Sequence, residues 1–293
     1  MIGDKPLVSV IFPAYNHEKY VQETIKSVIN QTYENIELIV VDDGSSDSTW
    51  QKIQEMKEEC EKRFVRVVFE TKENGGVCSA LKRLYELVQA DFIMQTASDD
   101  LLKPELIEKE MEFLLNNPDY LLCTCNDEII DSNSRQCYWD MARNNVYDIS
   151  KAVFKTFGDF LKRTKPNIDF NSELFGSYIS LYGGNYISNG YIFRKSVLEK
   201  IGPCPDGVLE DWWFMLQISK IGKLKYIDEV LYSYRWHDTN AIRDLDKIKG
   251  ISIKTLIWEI SFLHKINETN SFDKYLPDVE YVYEKDAQYI SVG

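Results

Sequence analysis

Two apolar runs of this chain end in acids. Residues 36–41 lead into Asp42-Asp43-Gly44-Ser45-Ser46-Asp47, and residues 92–94 lead through Gln95-Thr96-Ala97-Ser98 into Asp99-Asp100. An unbroken apolar run between polar segments reads as a strand buried on both faces, as in a parallel sheet. Open α/β sheets bind their ligands just beyond the carboxyl ends of such strands. Both acidic clusters should therefore face one crevice. Carboxylates there would repel a bare diphosphate, so a cation must stand between them and it. A divalent metal with oxygen ligands meets that need. The expectation is a site that binds a nucleoside diphosphate through a metal, without a glycine-rich phosphate loop.

Up to about residue 125 the chain repeats strand and helix signals. Strands are expected at 7–12, 36–41, 65–69, 92–94 and 120–125. Pro13-Ala14-Tyr15-Asn16 should break the first, and Asn16 should cap a helix with Val21, Ile25, Val28 and Ile29 on one face. Ser48-Thr49-Trp50-Gln51 has a capping-box pattern before Trp50, Ile53 and Met56. The turn Asn74-Gly75-Gly76 precedes a helix marked by Val77, Ala80, Leu81, Leu84 and Val88, and Pro104 opens another that runs to about Leu115. Repeated βα units imply a mainly parallel sheet with helices on both faces.

From Asn126 the pattern loosens. A loop-like stretch near 163–171 precedes an expected strand at 186–193 and a short helix at 195–201 that ends at Gly202. Leu209-Glu210-Asp211 opens a helix that should stop at Gly222. Residues 223–235 read as two short strands around Asp228-Glu229. The tail from Asn240 is helical in pattern. Its stripe of Ile253, Leu256, Ile257, Ile260 and Leu263 should pack on the main domain, with a homo-oligomer or membrane-surface contact as the alternative. The expected division is a domain at 1–240, with a nucleotide-binding half (1–125) and an acceptor-side half (126–240), then a helical extension at 241–293.

Composition narrows the partners. A formal net charge of −13 argues against non-specific nucleic-acid binding, which needs a basic footprint. Apolar residues make up 44% of the 293, enough for a sizeable core. The six cysteines (Cys60, Cys78, Cys123, Cys125, Cys137 and Cys204) contain no CxxC pair, and a chain of this length does not need disulfide staples. A reduced, cytoplasmic setting is the expectation. No stretch approaches the roughly 18–20 apolar residues of a membrane span, and the N-terminus lacks a signal-peptide core. The protein is expected to be soluble and cytoplasmic, or peripheral at the inner face of the membrane.

These residues also resemble a family. Val8-Ser9-Val10-Ile11-Phe12-Pro13-Ala14-Tyr15-Asn16, Gln31-Thr32-Tyr33 and Ile39-Val40-Val41-Asp42-Asp43-Gly44-Ser45-Ser46-Asp47 resemble the opening of family 2 glycosyltransferases. Asn74-Gly75-Gly76-Val77, Ser98-Asp99-Asp100, Glu210-Asp211-Trp212 and Tyr234-Arg235-Trp236-His237 continue the resemblance in order, over roughly residues 6–240. It implies the GT-A fold: an α/β, Rossmann-like domain with a mainly parallel central sheet flanked by helices, here with a helical C-terminal extension. It implies inverting, metal-dependent transfer of a sugar from a nucleotide-sugar donor, UDP-sugar first, to a hydroxyl of a glycan or lipid-linked glycan in surface-polysaccharide assembly.

The resemblance also implies roles. Pro13 and Tyr15 would contact the base ring, and Asp43 would accept a hydrogen bond from it, a task an ionised carboxylate suits; the other reading of Asp43 is a turn residue before Gly44. Asn74 and Gly75 would line the nucleotide pocket. Asp100 would coordinate Mn²⁺ or Mg²⁺, with Asp99 on the ribose or in the metal shell. The commoner family pattern has a further Asp where this chain has Ala97, so the ligand count departs from it. His237 would approach the metal or the diphosphate, or pack as an ordinary histidine. Arg235 would pair with phosphate or with an acid of the chain. Asp211 would be the general base, placed to take the acceptor proton. Trp212 and Trp213 are sugar-stacking faces or core. Asp47 reads as a helix cap. The segment from Leu181 to Gly190 would floor the donor and acceptor sites, with Gly183-Gly184 as a hinge.

Two other readings compete. A sugar nucleotidyltransferase also pairs acids with a metal, but it usually opens with a glycine-rich basic loop, and residues 7–20 contain no glycine. A non-catalytic nucleotide-sugar-binding scaffold would share the fold; the presence of both Asp100 and Asp211 argues against it.

Overall fold

A computed structural model describes residues 5–269. In chain order, the first part comprises β1 (Val8–Ala14), α1 (Val21–Ile29), β2 (Ile36–Asp42), α2 (Thr49–Glu55), α3 (Lys57–Arg63), β3 (Arg66–Thr71), α4 (Val77–Leu87) and β4 (Phe92–Gln95). A short β5 (Leu101–Leu102), α5 (Leu106–Asn116) and β6 (Tyr120–Ile130) follow. Next come β7 (Gln136–Trp139), β8 (Asn145–Val146), α6 (Phe157–Thr164), α7 (Tyr178–Tyr182), β9 (Tyr191–Arg194), α8 (Ser196–Ile201), α9 (Glu210–Ser219), β10 (Lys223–Arg235) and α10 (Leu245–Thr269).

The main sheet runs β3-β2-β1-β4-β9-β6-β10-β5. Strands β3, β2, β1 and β4 are parallel, β9 is antiparallel to both β4 and β6, and β10 is parallel to β6. β1 divides its side chains between two layers. Val8, Val10, Phe12 and Ala14 pack with Val21, Ile25 and Val28 of α1 and Leu106 and Met111 of α5. Ile11 faces the other way, with Ala80, Leu81 and Leu84 of α4 and Trp212 and Leu216 of α9. Each such fully buried aliphatic side chain contributes about 1.5–3 kcal/mol relative to exposure. α9 is buried from Trp212 to Ser219, as expected of a helix apolar on every side.

This topology sets the functional edge. β2 and β4 leave the sheet on the side where β1 ends, since all three are parallel. β9 runs back against β4, with Tyr191 opposite Gln95, so the segment before β9 enters at that same edge. β10 ends there too.

The structure corrects several expectations. β1 continues through Pro13, which pairs with Val41 of β2. β4 reaches only to Ile11, so the missing Pro13 N–H leaves no gap in the ladder on that side. Asn16 caps no helix. It adopts a left-handed conformation, and its side chain accepts the Ser46 N–H at 2.9 Å. Ser48 makes no capping bond; Asp47 accepts the Thr49 N–H at 2.9 Å instead, as a cap. β6 is an 11-residue strand that runs unbroken across the expected boundary between halves at residue 125. The expected strand at 186–193 is ordered as β9 only from Tyr191. α9 ends at Ser219, ahead of Gly222.

Residues 223–235 form one strand, not two. Its register slips between Ile227 and Val230, a bulge that turns Asp228 and Glu229 outward. They pair with Lys162 and Lys109 there.

α10 docks on the main domain, as expected, but by only part of the expected stripe. Leu256 packs against the core beside Trp258; Ile253, Ile257 and Ile260 are exposed, and Thr255, Glu259 and Ile266 are buried. Thr255 Oγ1 accepts the Leu209 N–H at 2.8 Å, at the head of α9. Glu259 pairs with buried Lys220 and accepts from Tyr178 (2.7 Å) and Gln217 (2.8 Å). Polar residues thus fix the helix because each buried polar group has a partner. Among the described residues no helix is long and apolar enough to cross a membrane. The expected extension from residue 270 onward lies outside the described residues.

Candidate functional site

The end of β2 and the turn after β3 are joined by acids. Asp42 Oδ2 accepts from Thr71 Oγ1 at 2.8 Å. Asp43 is buried; its Oδ2 accepts the Gly76 N–H at 2.8 Å, its Oδ1 accepts the Gly75 N–H at 3.1 Å, and Lys72 Nζ stands 2.7 Å away. Gly44 has φ +70°, and a Cβ there would lie 2.8 Å from the Asn74 nitrogen, so only glycine lets the two loops meet. Asp43 therefore organises the turn that the sequence assigned to the nucleotide pocket. Tyr15, Asn74 and Gly75 stay exposed beside it, and Pro13 is partly so.

The acids after β4 part company. Asp99 Oδ2 lies 2.9 Å from His237 Nε2 and 3.8 Å from His17 Nε2. One ligand atom from each of these three residues can be chosen so that all lie within 4.8 Å of one another. Asp100 faces away. Its Oδ1 accepts the Arg235 N–H at 2.7 Å and its Oδ2 accepts from Tyr232 Oη at 2.9 Å, and it is 2% exposed. Of the two acids, Asp99 is the one that meets the histidines, and Asp100 ties β10 to the end of β4.

The charge states follow from these surroundings. Burial alone would raise Asp99, but the His237 hydrogen bond and the neighbouring histidines hold it below the usual carboxylate range. Burial, then the Asp99 charge, pushes Asp100 well up. Burial also lowers His17 against the pull of Asp99, which leaves a neutral imidazole able to ligate. The outer contacts orient these rings: His17 Nδ1 is 2.7 Å from Ser98 Oγ, and His237 Nδ1 is 2.9 Å from Thr239 Oγ1. A cavity of about 480 Å³ opens beside the two histidines, with Lys19, Arg135 and Arg243 also on its walls. An imidazole pair and one ionised carboxylate, backed by hydrogen-bonded partners, fit a divalent cation with room for ligand oxygens.

Arg235 does not reach this cavity as a phosphate ligand. It is fully buried, with Nη2 2.7 Å from Glu23 Oε2 and Nη1 2.8 Å from Ser134 Oγ, and its guanidinium lies over Tyr20.

The second acidic pair begins α9. Asp211 Oδ2 accepts from Asn185 Nδ2 at 3.1 Å, and its Oδ1 accepts the Trp212 N–H at 2.6 Å. Acids suit the positive end of a helix. Even so, burial raises Asp211 above its ordinary value, against those two hydrogen bonds. Burial, then the Asp211 charge, pushes Glu210 up to about 7. A carboxylate with a raised affinity for protons can take one from a hydroxyl. Trp212 and Trp213 are core.

One segment links the two pairs. Asn185 belongs to the stretch that enters beside the end of β4. Gly190, in the same stretch, has φ +65° and sits against the Tyr232 ring, whose hydroxyl holds Asp100. A side chain at 190 would collide with that ring. Gly184 in this stretch also has positive φ. Sequence reasoning missed His17, Lys72 and Glu259. Only His17 carried a signal, since it lies shortly past the end of β1, on the crevice edge.

The profile of glycosyl transferase family 2 matches residues 9–172. An uncharacterized glycosyltransferase of Haemophilus influenzae is 32% identical over 234 residues, which is 79% of this chain and 66% of that protein. TarS of S. aureus, solved as residues 1–349 with UDP-GlcNAc, superposes with a TM-score of 0.58 at 19% identity, covering 81% of this chain and 60% of that one. The mannosyltransferase PcManGT of Pyrobaculum calidifontis, solved with GDP-Man and Mn²⁺, gives a TM-score of 0.62 at 15% identity, over 99% and 75% of the two chains. This chain thus spans slightly less than two thirds of the Haemophilus relative. At these identities the structural likenesses establish the fold, which is GT-A. The chain belongs to glycosyltransferase family 2.

Proposed function

We propose that this family 2 domain transfers a sugar from a nucleoside-diphosphate donor to a hydroxyl of a glycan acceptor, with inversion and with a divalent metal. The observation that supports it most is the pairing of two unlike acid sites on one edge of the sheet. Asp99 lies among His17 and His237, and Asp211 lies at the head of α9 with its proton affinity raised.

In this reading Asp99 and His237, with His17 beside them, would hold Mn²⁺ or Mg²⁺, and such a cation would offset the charge that grows on the departing diphosphate. The Asp43-braced turn, with Asn74 and Gly75, receives the nucleoside, and Tyr15 and Pro13 flank the base. Asp211 takes the acceptor proton on the face opposite the leaving group, as inversion requires. Asn185 keeps its carboxylate turned to that task. UDP-sugar is the first donor to try, because Asp43 suits a ring N–H. The structural neighbours were solved with UDP-GlcNAc and with GDP-Man, which supports a nucleotide sugar and makes the base a variable of the test. Contact with a membrane or a second copy falls, in this proposal, to the exposed isoleucines of α10.

The test is a panel of UDP- and GDP-sugars with short glycan acceptors, assayed with Mn²⁺ and with EDTA. Metal-dependent release of one nucleoside diphosphate with formation of the opposite anomer supports the proposal. Release that persists in EDTA, or a retained anomer, contradicts it.

A further inference from the structure

Two of the six cysteines touch. Cys78 Sγ and Cys204 Sγ lie 2.6 Å apart, although 126 residues separate them. Cys60, Cys123, Cys125 and Cys137 are fully buried. Cys204 is partly exposed, and Cys78 is 8% exposed.

Their positions give the contact meaning. Cys78 is the second residue of α4, directly after the Gly75-Gly76 turn that Asp43 holds. Cys204 lies in the loop between α8 and α9, shortly before Glu210 and Asp211. A bond between them would tie the donor-side turn to the segment that leads into the base helix. Contact with Cys78, then burial, pushes the Cys204 thiol well up, so Cys204 keeps its proton.

We propose that Cys78 and Cys204 are a modification site: a dithiol that a small-molecule disulfide oxidises to an intramolecular disulfide. The Cys78 thiolate attacks one sulfur of the oxidant and releases one small thiol. Cys204 then gives up its proton, attacks Cys78 Sγ and releases the second. The protein loses two protons and two electrons, and the oxidant becomes two thiols. Oxidation closes a long loop, which restricts the unfolded chain and stabilises the fold.

The experiment incubates the full chain, still folded, with oxidised glutathione, then alkylates free thiols and maps peptides by mass. The expected result is a loss of about 2 Da, two hydrogens. It comes with one cross-linked peptide pair containing Cys78 and Cys204, reversed by dithiothreitol. Cys204→Ser should abolish the cross-link and leave Cys78 as a stable glutathione adduct. The proposal is overturned if both thiols of the oxidised wild type alkylate fully, or if the cross-link joins other cysteines. Because the readout is mass, a failure of the donor or metal assignment leaves this result intact.

Discussion

The two acid pairs, Asp99-Asp100 and Glu210-Asp211, use the same chemistry to opposite ends. The first pair is divided by its partners. Histidines hold Asp99 ionised, while Asp100 is buried against the Arg235 N–H and the Tyr232 hydroxyl with a raised proton affinity. The second pair is not divided: both carboxyls are raised, Glu210 to about 7. A carboxylate kept ionised suits a cation; a carboxyl with a raised proton affinity suits proton transfer. Adjacent acids therefore say little until their partners are known, and the partners come from distant strands and loops.

The largest expected effect breaks the second pair. Asp211→Asn keeps the shape and removes the proposed base, so turnover should fall by about 10²–10⁴-fold. Nucleotide affinity in the same variant should stay within about twofold, since the donor side is separate. A fall below tenfold in a transfer assay would remove Asp211 from the role of base.

A second test concerns what holds the base helix in place. Glu259 is fully buried with Lys220, and removal of one partner of a buried ion pair costs about 3–5 kcal/mol. Glu259→Ala should lose that much unfolding free energy in urea, whereas Ile257→Ala on the exposed stripe should change it by at most about 0.5 kcal/mol. Equal losses would mean that α10 docks through its isoleucines after all.

A smaller effect sharpens the contrast in proton affinity. Glu210 has a folded value of about 7, above the 4.5 of an unperturbed glutamate. The folded state therefore binds the proton more tightly. The stability this contributes is fully present below about pH 4.5 and is lost as pH rises through about 7. Glu210→Gln should flatten that decline in a series of urea melts. An unchanged slope would show that Glu210 titrates normally.

Much of this was legible, for identifiable reasons. β1, β2 and β4 are parallel strands buried on both faces, so each appears as an apolar run, and those of β2 and β4 end in acids. β9 and β10 hid because their signals are not continuous. The segment before Tyr191 bends at Gly184 and Gly190 to pass Tyr232, and the bulge at Ile227/Val230 mimics a turn. The docked face of α10 was only partly legible because it mixes Leu256, Trp258 and Ile266 with the buried polar pair Thr255 and Glu259, while the isoleucines of the apolar stripe face outward. The motif at Asp99-Asp100 specifies an adjacent pair of acids and not which member meets the histidines, which in the structure is Asp99. The anchors of Asp43 and Asp211, the Gly75 and Gly76 amides and Asn185, come from loops without a fixed motif.

The central claim is that Asp99, not Asp100, is the carboxylate of the metal and diphosphate site. Calorimetric titration of UDP, with GDP as control, in Mn²⁺ and then in EDTA, tests it on wild type, Asp99→Asn and Asp100→Asn. Wild type should bind only with metal. Asp99→Asn should lose at least tenfold in affinity, about 1.4 kcal/mol. Asp100→Asn should bind within about threefold of wild type while its unfolding free energy drops by about 1–3 kcal/mol. The reverse pattern, with binding lost in Asp100→Asn and kept in Asp99→Asn, would contradict the account.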